Sequence, residues 1–393
     1  MRVLVAFDKF KGSLSAARAC ELGVCALRCG QPGWHLDPCP LTDGGEGFAE
    51  ILTAAVRGSW TALEVSGPRG EPIEAGIGLV KLSQIPAQAR AWLRLPKREA
   101  DFDRPVAIIE MAAASGLGLL PPEQHDPWQT TTYGTGQLIR AAAEMGCAAI
   151  LLGIGGSATN DLGLGALSAL GLEFRGDGGT EIRPPIPMHC NQIIRIEGEV
   201  LGSLPPICIA CDVTNPLFGT KGAAAVYGPQ KGLRPEDLPR FETTMERISR
   251  MLLEHCRQSP DLSATSGTGA AGGLSFGLLA GAGARLAPGF ELVSAWLGLE
   301  TRIAAADLVI TGEGCFDATS LSGKGPGAVA ARAHALGKPV HVFAGKIGTD
   351  LPPIGWQLHA ITPAGLRLED AQREAPELLV HSMRSEFGLR SHG

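Results

Sequence analysis

Residues 1–13, MRVLVAFDKFKGS, decide the fold class. The apolar run Arg2–Phe7 stops abruptly at Asp8-Lys9, passes through Phe10-Lys11-Gly12-Ser13 and leads into a helix from about Ser15 to Arg28. A buried strand that ends in an acid and feeds a helix is the repeating unit of an α/β sheet. His35–Pro40 reads as a weaker second strand, with a helix over Glu46–Val56. Near the other end, Asp307–Thr311, Pro339–Ala344 and Leu358–Thr362 read as three more strands, and Pro326–Leu336 as the helix between the first two of these. Together they predict a five-stranded parallel sheet of flavodoxin-like type, discontinuous in sequence.

The middle of the chain has another texture. Trp60–Ser66 and Ile73–Val80 flank Gly67-Pro68-Arg69-Gly70, a hairpin and so an antiparallel element. Val106–Met111, Ala148–Leu152 and Ile207–Ala210 read as buried strands, Thr135–Met145 and Leu164–Leu170 as helices, and Pro235–Cys256 as a long amphipathic helix. Gln84–Arg104 is polar and broken by proline, a surface excursion. The expected organisation is a flavodoxin-like domain of residues 1–66 and 288–393, with a second α/β domain, 67–287, inserted into it.

Composition narrows the function. The 393 residues exceed one domain of roughly 150. With 34 basic and 40 acidic residues the net charge is −6, and there is no basic stripe, which argues against phosphate-neutralising nucleic-acid binding and against a polybasic membrane anchor. The longest apolar runs, Cys147–Gly156 and the glycine-rich stretch around Ala270–Ala284, fall short of the ~18 residues of a membrane span. The N-terminal strand runs into charge and does not read as a secretory signal, so the ten cysteines are expected as thiols in a reducing cytoplasm. Glycine, at 53 residues, points to tight turns and backbone-lined pockets.

Four motifs carry chemistry. Asp8, Lys9, Lys11 and Ser13 follow the first strand, where ligands of open parallel sheets bind; Ser13 or Ser15 also suits a helix N-cap. Asp43-Gly44-Gly45-Glu46-Gly47 follows the second strand: Asp43 and Glu46 have capping-box spacing, but three glycines within residues 44–47 exceed what a cap needs. Gly153-Ile154-Gly155-Gly156-Ser157-Ala158-Thr159-Asn160-Asp161 has the composition of a phosphate cradle. It also holds a loose dinucleotide fingerprint, Gly153-x-Gly155-x-x-Ala158, with Glu173 where a ribose-binding acid would lie. Finally Thr311-Gly312-Glu313-Gly314-Cys315-Phe316-Asp317, followed by Lys324, places an acid pair and a lysine after a strand, a donor set suited to magnesium and phosphate. Asp212, between a strand and Thr214-Asn215-Pro216, is a further acid at a strand end. Cys208-x-x-Cys211 lies on a strand, where residues three apart face opposite ways, so it does not read as a metal site. No G-x-S-x-G elbow occurs.

At these residues the chain resembles the bacterial glycerate kinase family, type I, the glycerate 2-kinases. Phe10–Leu14, Asp43–Gly47, Tyr133–Gly136, Gly153–Asp161, Ala210–Leu217, Gly228–Gly232, Gly269–Gly273 and Thr311–Gly314 look like that family's blocks, in order and nearly end to end. The resemblance implies a flavodoxin-like domain with an inserted restriction-enzyme-like α/β domain, an active site in the cleft between them, ATP, Mg²⁺ and glycerate as a small-molecule substrate. Three positions depart from the family: Lys9 where serine is common, Cys315 where Gly-Glu-Gly-Arg-x-Asp has arginine, and Thr319 where glutamine is customary. Lys9 is expected to replace the positive charge lost at Cys315.

On this reading Gly155, Gly156 and Ser157 take the nucleotide phosphates, and Asn160 and Asp161 belong to the same cofactor site, with polar groups that suit a divalent metal or a substrate hydroxyl. Lys11 and Lys324 neutralise the transferring phosphoryl group, and Lys9, Ser13, Gly44 and Gly45 contact glycerate. Asp212, Glu313 and Asp317 are the candidate magnesium ligands, and Asp8 or Asp43 orients or deprotonates the hydroxyl. Two competitors are a nicotinamide dehydrogenase using the Gly153–Ala158 turn and a non-catalytic nucleotide or sugar-acid sensor.

Overall fold

The computed structural model describes residues 1–93, 103–321, 323 and 325–388. Lys324, and residues 94–102 of the expected surface excursion, lie outside the described residues. In chain order the strands are β1 (Arg2–Phe7), β2 (His35–Pro38), β3 (Ser59–Ser66), β4 (Pro72–Lys81), β5 (Pro105–Glu110), β6 (Ala149–Gly153), β7 (Glu173–Arg175), β8 (Arg195–Glu197), β9 (Ile207–Ala210), β10 (Arg285–Ala287), β11 (Leu308–Phe316), β12 (Val340–Ile347) and β13 (Gln357–Ala360).

The chain divides into two units, Met1–Asp43 with Val293–Gly393, and Gly44–Leu292. The first is built on the expected sheet: five strands in the order β13-β12-β11-β1-β2, all parallel. β1 is central, and Val3–Phe7 are wholly buried, as both faces of a parallel sheet must be covered. Val3, Val5 and Phe7 join Ile310, Phe343, Leu379 and Met383 in one core, under the helices Ala16–Arg28 and Ala375–Glu386. Gly23 lets the first helix approach: a Cβ there would stand 3.1 Å from Phe7 and Val5.

The second unit carries a six-stranded mixed sheet, β10-β9-β6-β5-β4-β3. β3, β4 and β5 are antiparallel, closed by the expected hairpin, and β5, β6, β9 and β10 run parallel. A second core forms around Phe174, Phe241, Met245, Ile248, Leu252 and Phe276. The helix Leu238–His255 supplies four of these from one face, at helical spacing.

Two expectations need correction. The first boundary falls between Asp43 and Gly44, not after residue 66, because the helix Phe48–Ala55 packs on β4 and β5 and β3 pairs with β4. Its apolar face thus belongs to the second sheet. The second boundary falls after Leu292 instead of residue 287. In the Gln84–Arg104 stretch, Ala87–Leu93 is a helix that buries Ala89 and Leu93, so this part is anchored despite its polar surroundings.

Candidate functional site

Register brings the acids of the first unit together. Phe7 of β1 pairs with Gly312 of β11, and the Asp8 N–H donates to the Gly312 carbonyl at 2.9 Å. Asp8 therefore leaves its strand beside Glu313, at the carboxyl end of the sheet. Glu313 itself lies within β11, since that strand runs on to Phe316. A cavity of about 910 Å³ opens here, lined by Asp8, Lys9, Lys11, Ser13, Asp43, Glu313, Cys315 and Lys346, among others.

Burial dominates the electrostatics. Asp8 is 7% exposed, and desolvation pushes its pKa up to about 6, with the Lys9 ammonium pulling it down and Asp43 adding to the rise. Burial likewise raises Glu313 to about 7, against a hydrogen bond from Ser320 and with repulsion from Asp8, Asp317 and Asp43. Lys9 bridges the loops: its Nζ lies 2.9 Å from Asp43 Oδ1 and 3.8 Å from Asp8 Oδ1. The Ser13 hydroxyl donates to the Phe10 carbonyl, 2.9 Å, and fixes the turn between strand and helix. Ser15, not Ser13, is the N-cap of Ala16–Arg28, accepting from the Arg18 N–H.

Glu313 Oε1 is buried and has no hydrogen-bond partner. Two carboxylates whose burial raises their pKa, one with an orphaned oxygen, are a donor set that a small oxygen-seeking cation fits. The other expected metal ligands have structural roles. Asp317 Oδ1 accepts from the Thr319 amide and hydroxyl at 2.8 and 2.6 Å, which depresses its pKa and caps the turn Ala318–Leu321. Asp212 belongs to the second unit, where its carboxylate accepts from the Phe290 amide, 2.9 Å, at the start of the helix Gly289–Leu297.

The second unit holds the glycine turn. Gly155 donates to the Gly44 carbonyl at 2.9 Å, and a Cβ on Gly155 would lie 2.6 Å from Gly45 Cα. One on Gly153 would lie 2.6 Å from the Gly44 oxygen. The two glycine runs thus pack backbone to backbone, which explains their composition without a ligand and places Gly44 and Gly45 in a different unit from Asp8 and Glu313. Gly156, at φ 72°, turns the chain at Ser157.

Below the turn, polar groups face inward. Asp161 is fully buried and accepts from the Thr132 amide and hydroxyl, both 2.8 Å, and from the amides of Gly163 and Gly165 at 3.1 and 3.2 Å. Its four hydrogen bonds brace the turn before the helix Leu164–Leu170. The helix also begins eight residues beyond Gly156, not at the glycines as a dinucleotide fold requires, and Glu173 pairs with Arg175. Asn160 is 2% exposed; its Nδ2 and the Thr159 hydroxyl have no partner.

The residue missed in the sequence is Lys231. It is 2% exposed, and its Nζ donates to Ser157 Oγ at 2.8 Å and to the Thr159 carbonyl at 2.7 Å. Burial lowers its pKa to about 7, with Asp161 pulling the other way. The signal was its place between glycines in Gly228–Gly232, where an ordinary surface lysine gains nothing. Lys346 was missed as well: it pairs with Cys315 across β11 and β12, putting a cation beside the departed arginine position.

Among the described residues no helix is long and apolar enough to cross a membrane, and no disulfide joins any of the ten cysteines. A model of the glycerate kinase family matches residues 3–388. The chain is 37% identical over 391 residues to the glycerate kinase of Bacillus subtilis (strain 168), covering 98% of this chain and 96% of that one. It is 36% identical over 357 residues to the glycerate 2-kinase of Escherichia coli (strain K12), covering 89% and 87%. A crystal structure from Salmonella typhimurium LT2, provisionally described there as glycerate kinase 2, superposes with a TM-score of 0.73 at 37% identity, covering 99% and 97%.

Proposed function

Because the chain belongs to the glycerate kinase family, we propose that it transfers the γ-phosphoryl group of ATP to the C2 hydroxyl of D-glycerate, giving 2-phosphoglycerate and ADP. The observation that carries the reading within this chain is the pairing of Asp8 with Glu313 at adjacent strand ends, on a cavity that also bears Lys9 and Lys11.

Phosphoryl transfer asks for in-line positioning, charge neutralisation and a proton acceptor. Asp8, with a pKa of about 6, is poised to take the hydroxyl proton near neutral pH as the oxygen forms its bond to phosphorus and the ADP oxygen leaves. Asp43 is the weaker candidate for this step, since it is exposed and paired with Lys9. Glu313 would hold the Mg²⁺, which when bound offsets charge on the β- and γ-phosphates. Lys9, Lys11 and Ser13 bind the substrate carboxylate and phosphoryl oxygens, with Lys324 as a further cation. The amides of Gly156 and Ser157 hold nucleotide phosphate; that of Gly155 is taken by the Gly44 carbonyl, and Lys231 fixes the Ser157 hydroxyl.

A coupled assay for ADP release with D-glycerate tests the reaction, and ³¹P NMR of the product distinguishes the 2- from the 3-phosphate. Asp8→Asn should lower kcat about 10²–10⁴-fold with ATP affinity unchanged. A change confined to KM would remove Asp8 from the base role.

A further inference from the structure

The first unit carries a second cluster of ligating side chains that phosphoryl transfer does not use. His341 near the start of β12, His359 on β13 and Glu386, the last residue of the helix Ala375–Glu386, converge on one face of the sheet. The register explains the convergence: His341 pairs with Gln357 and Phe343 with His359, so both imidazoles share the face on which the helix docks. We propose that His341, His359 and Glu386 bind a divalent transition-metal ion of the zinc class, clamping the C-terminal helix to the two outer strands.

The distances fit. His341 Nδ1 lies 3.1 Å from His359 Nε2 and 3.6 Å from Glu386 Oε1, and one ligand atom from each of the three residues lies within 4.8 Å of the other two, so a small side-chain adjustment closes the set. Tetrahedral ligands at the usual zinc–nitrogen distance of about 2.0–2.1 Å stand roughly 3.3 Å apart. The donor set of two imidazoles and one carboxylate suits zinc, cobalt or nickel, whereas magnesium and calcium demand oxygen. Three protein ligands leave a fourth position for water.

The surroundings favour a cation over an ion pair. The side chains of His341 and His359 are only 10% and 17% exposed, between the rings of Phe343 and Phe387. Glu386 closes the C-terminus of its helix, where the backbone dipole makes an added positive charge stabilising. The cluster is separate from the phosphoryl-transfer residues. His341 lies five residues before Lys346 on β12, roughly 16 Å along the strand, and none of the three ligands lines the large cavity.

The test uses the full chain, stripped with a chelator and titrated with Co²⁺ in excess Mg²⁺, which saturates the oxygen sites. One equivalent of Co²⁺ should bind, with visible d–d bands and no near-ultraviolet thiolate charge-transfer band. Zn²⁺ should raise Tm. His359→Gln and Glu386→Gln, less buried than His341, should each weaken Co²⁺ binding at least tenfold and abolish the Zn²⁺-induced rise. Wild-type affinity in both folded variants, a thiolate band, or no binding to the parent chain would overturn the proposal.

Discussion

The two glycine-bearing loop systems look alike in sequence and differ in what they do with their polar groups. In the first unit the loops after β1 and β2 and the end of β11 hold Asp8, Asp43 and Glu313 around a cavity, where the acids repel one another and Lys9 offsets only part of the charge. In the second unit the turn after β6 folds its acid inward: Asp161 has four hydrogen bonds and no exposure. An acid in a motif is thus not by itself a ligand. The distinction is whether donors of the chain already satisfy it, and perturbed but unsatisfied acids are the ones available for chemistry.

The largest test of this contrast is Asp161→Ala. It orphans buried donors and removes a charge opposite Lys231, so stability should fall by about 3–5 kcal/mol, read as a lower midpoint in thermal or urea unfolding. A loss below about 1 kcal/mol would mean that the turn does not depend on its inward carboxylate. Gly155→Ala comes next. Its Cβ would meet Gly45 Cα and N at 2.6 and 2.8 Å, and backbone cannot step aside as a side chain tip does. The expected loss is about 1–3 kcal/mol; stability equal to the parent would detach the two glycine runs and return their composition to ligand binding.

The two regions should also respond oppositely to pH. Glu313 holds its proton up to about pH 7 when folded but only to about 4.5 when unfolded, so the native state binds more protons in that window and stability falls as pH rises through it. Lys231 is the reverse. It loses its proton near pH 7 when folded and near 10.5 when unfolded, so stability climbs as pH rises between those values. Both strains are therefore greatest near neutrality. Glu313→Gln should remove a stability loss of roughly 3 kcal/mol between about pH 4.5 and 7, and Lys231→Met should flatten the alkaline rise, in unfolding midpoints measured from pH 4 to 10. Unchanged slopes in both variants would show that neither group carries the dependence.

The first sheet was legible because its strands are short apolar runs stopped by acids, and its strand order then puts Asp8 beside Glu313. The family resemblance added the substrate, which no spacing could name. What stayed hidden depended on side-chain direction and on packing at a distance. Nothing in Gly153–Asp161 reveals that Asp161 turns inward, because its partner Thr132 is 29 residues away. Lys231 reaches Ser157 across 74 residues from a turn after proline, outside any charge pattern. That the helix Phe48–Ala55 belongs to the second unit is not readable from its sequence, because an amphipathic face records that it is covered and not by which sheet.

The smallest effect concerns Lys9. Cys315 stands where the family has arginine, and Lys9, Lys346 and Cys315 line one cavity. If Lys9 replaces the missing charge, Lys9→Ser should raise the KM for glycerate by up to about tenfold, with kcat changed little, because a uniform binding contact is lost. The loss is bounded, since Lys9 is already engaged by Asp43 at 2.9 Å and only part of its charge is available to a substrate carboxylate. Removing it also leaves Asp8 beside Asp43 without the cation that lowers its pKa, so the acid limb of the kcat profile should move to higher pH. Adding Cys315→Arg should then restore KM but not the limb, because position 315 lies on β11 while the lost cation faced Asp8 and Asp43. Restoration of both would make the two cations interchangeable, and no change in KM for Lys9→Ser would leave the charge opposite glycerate to Lys346.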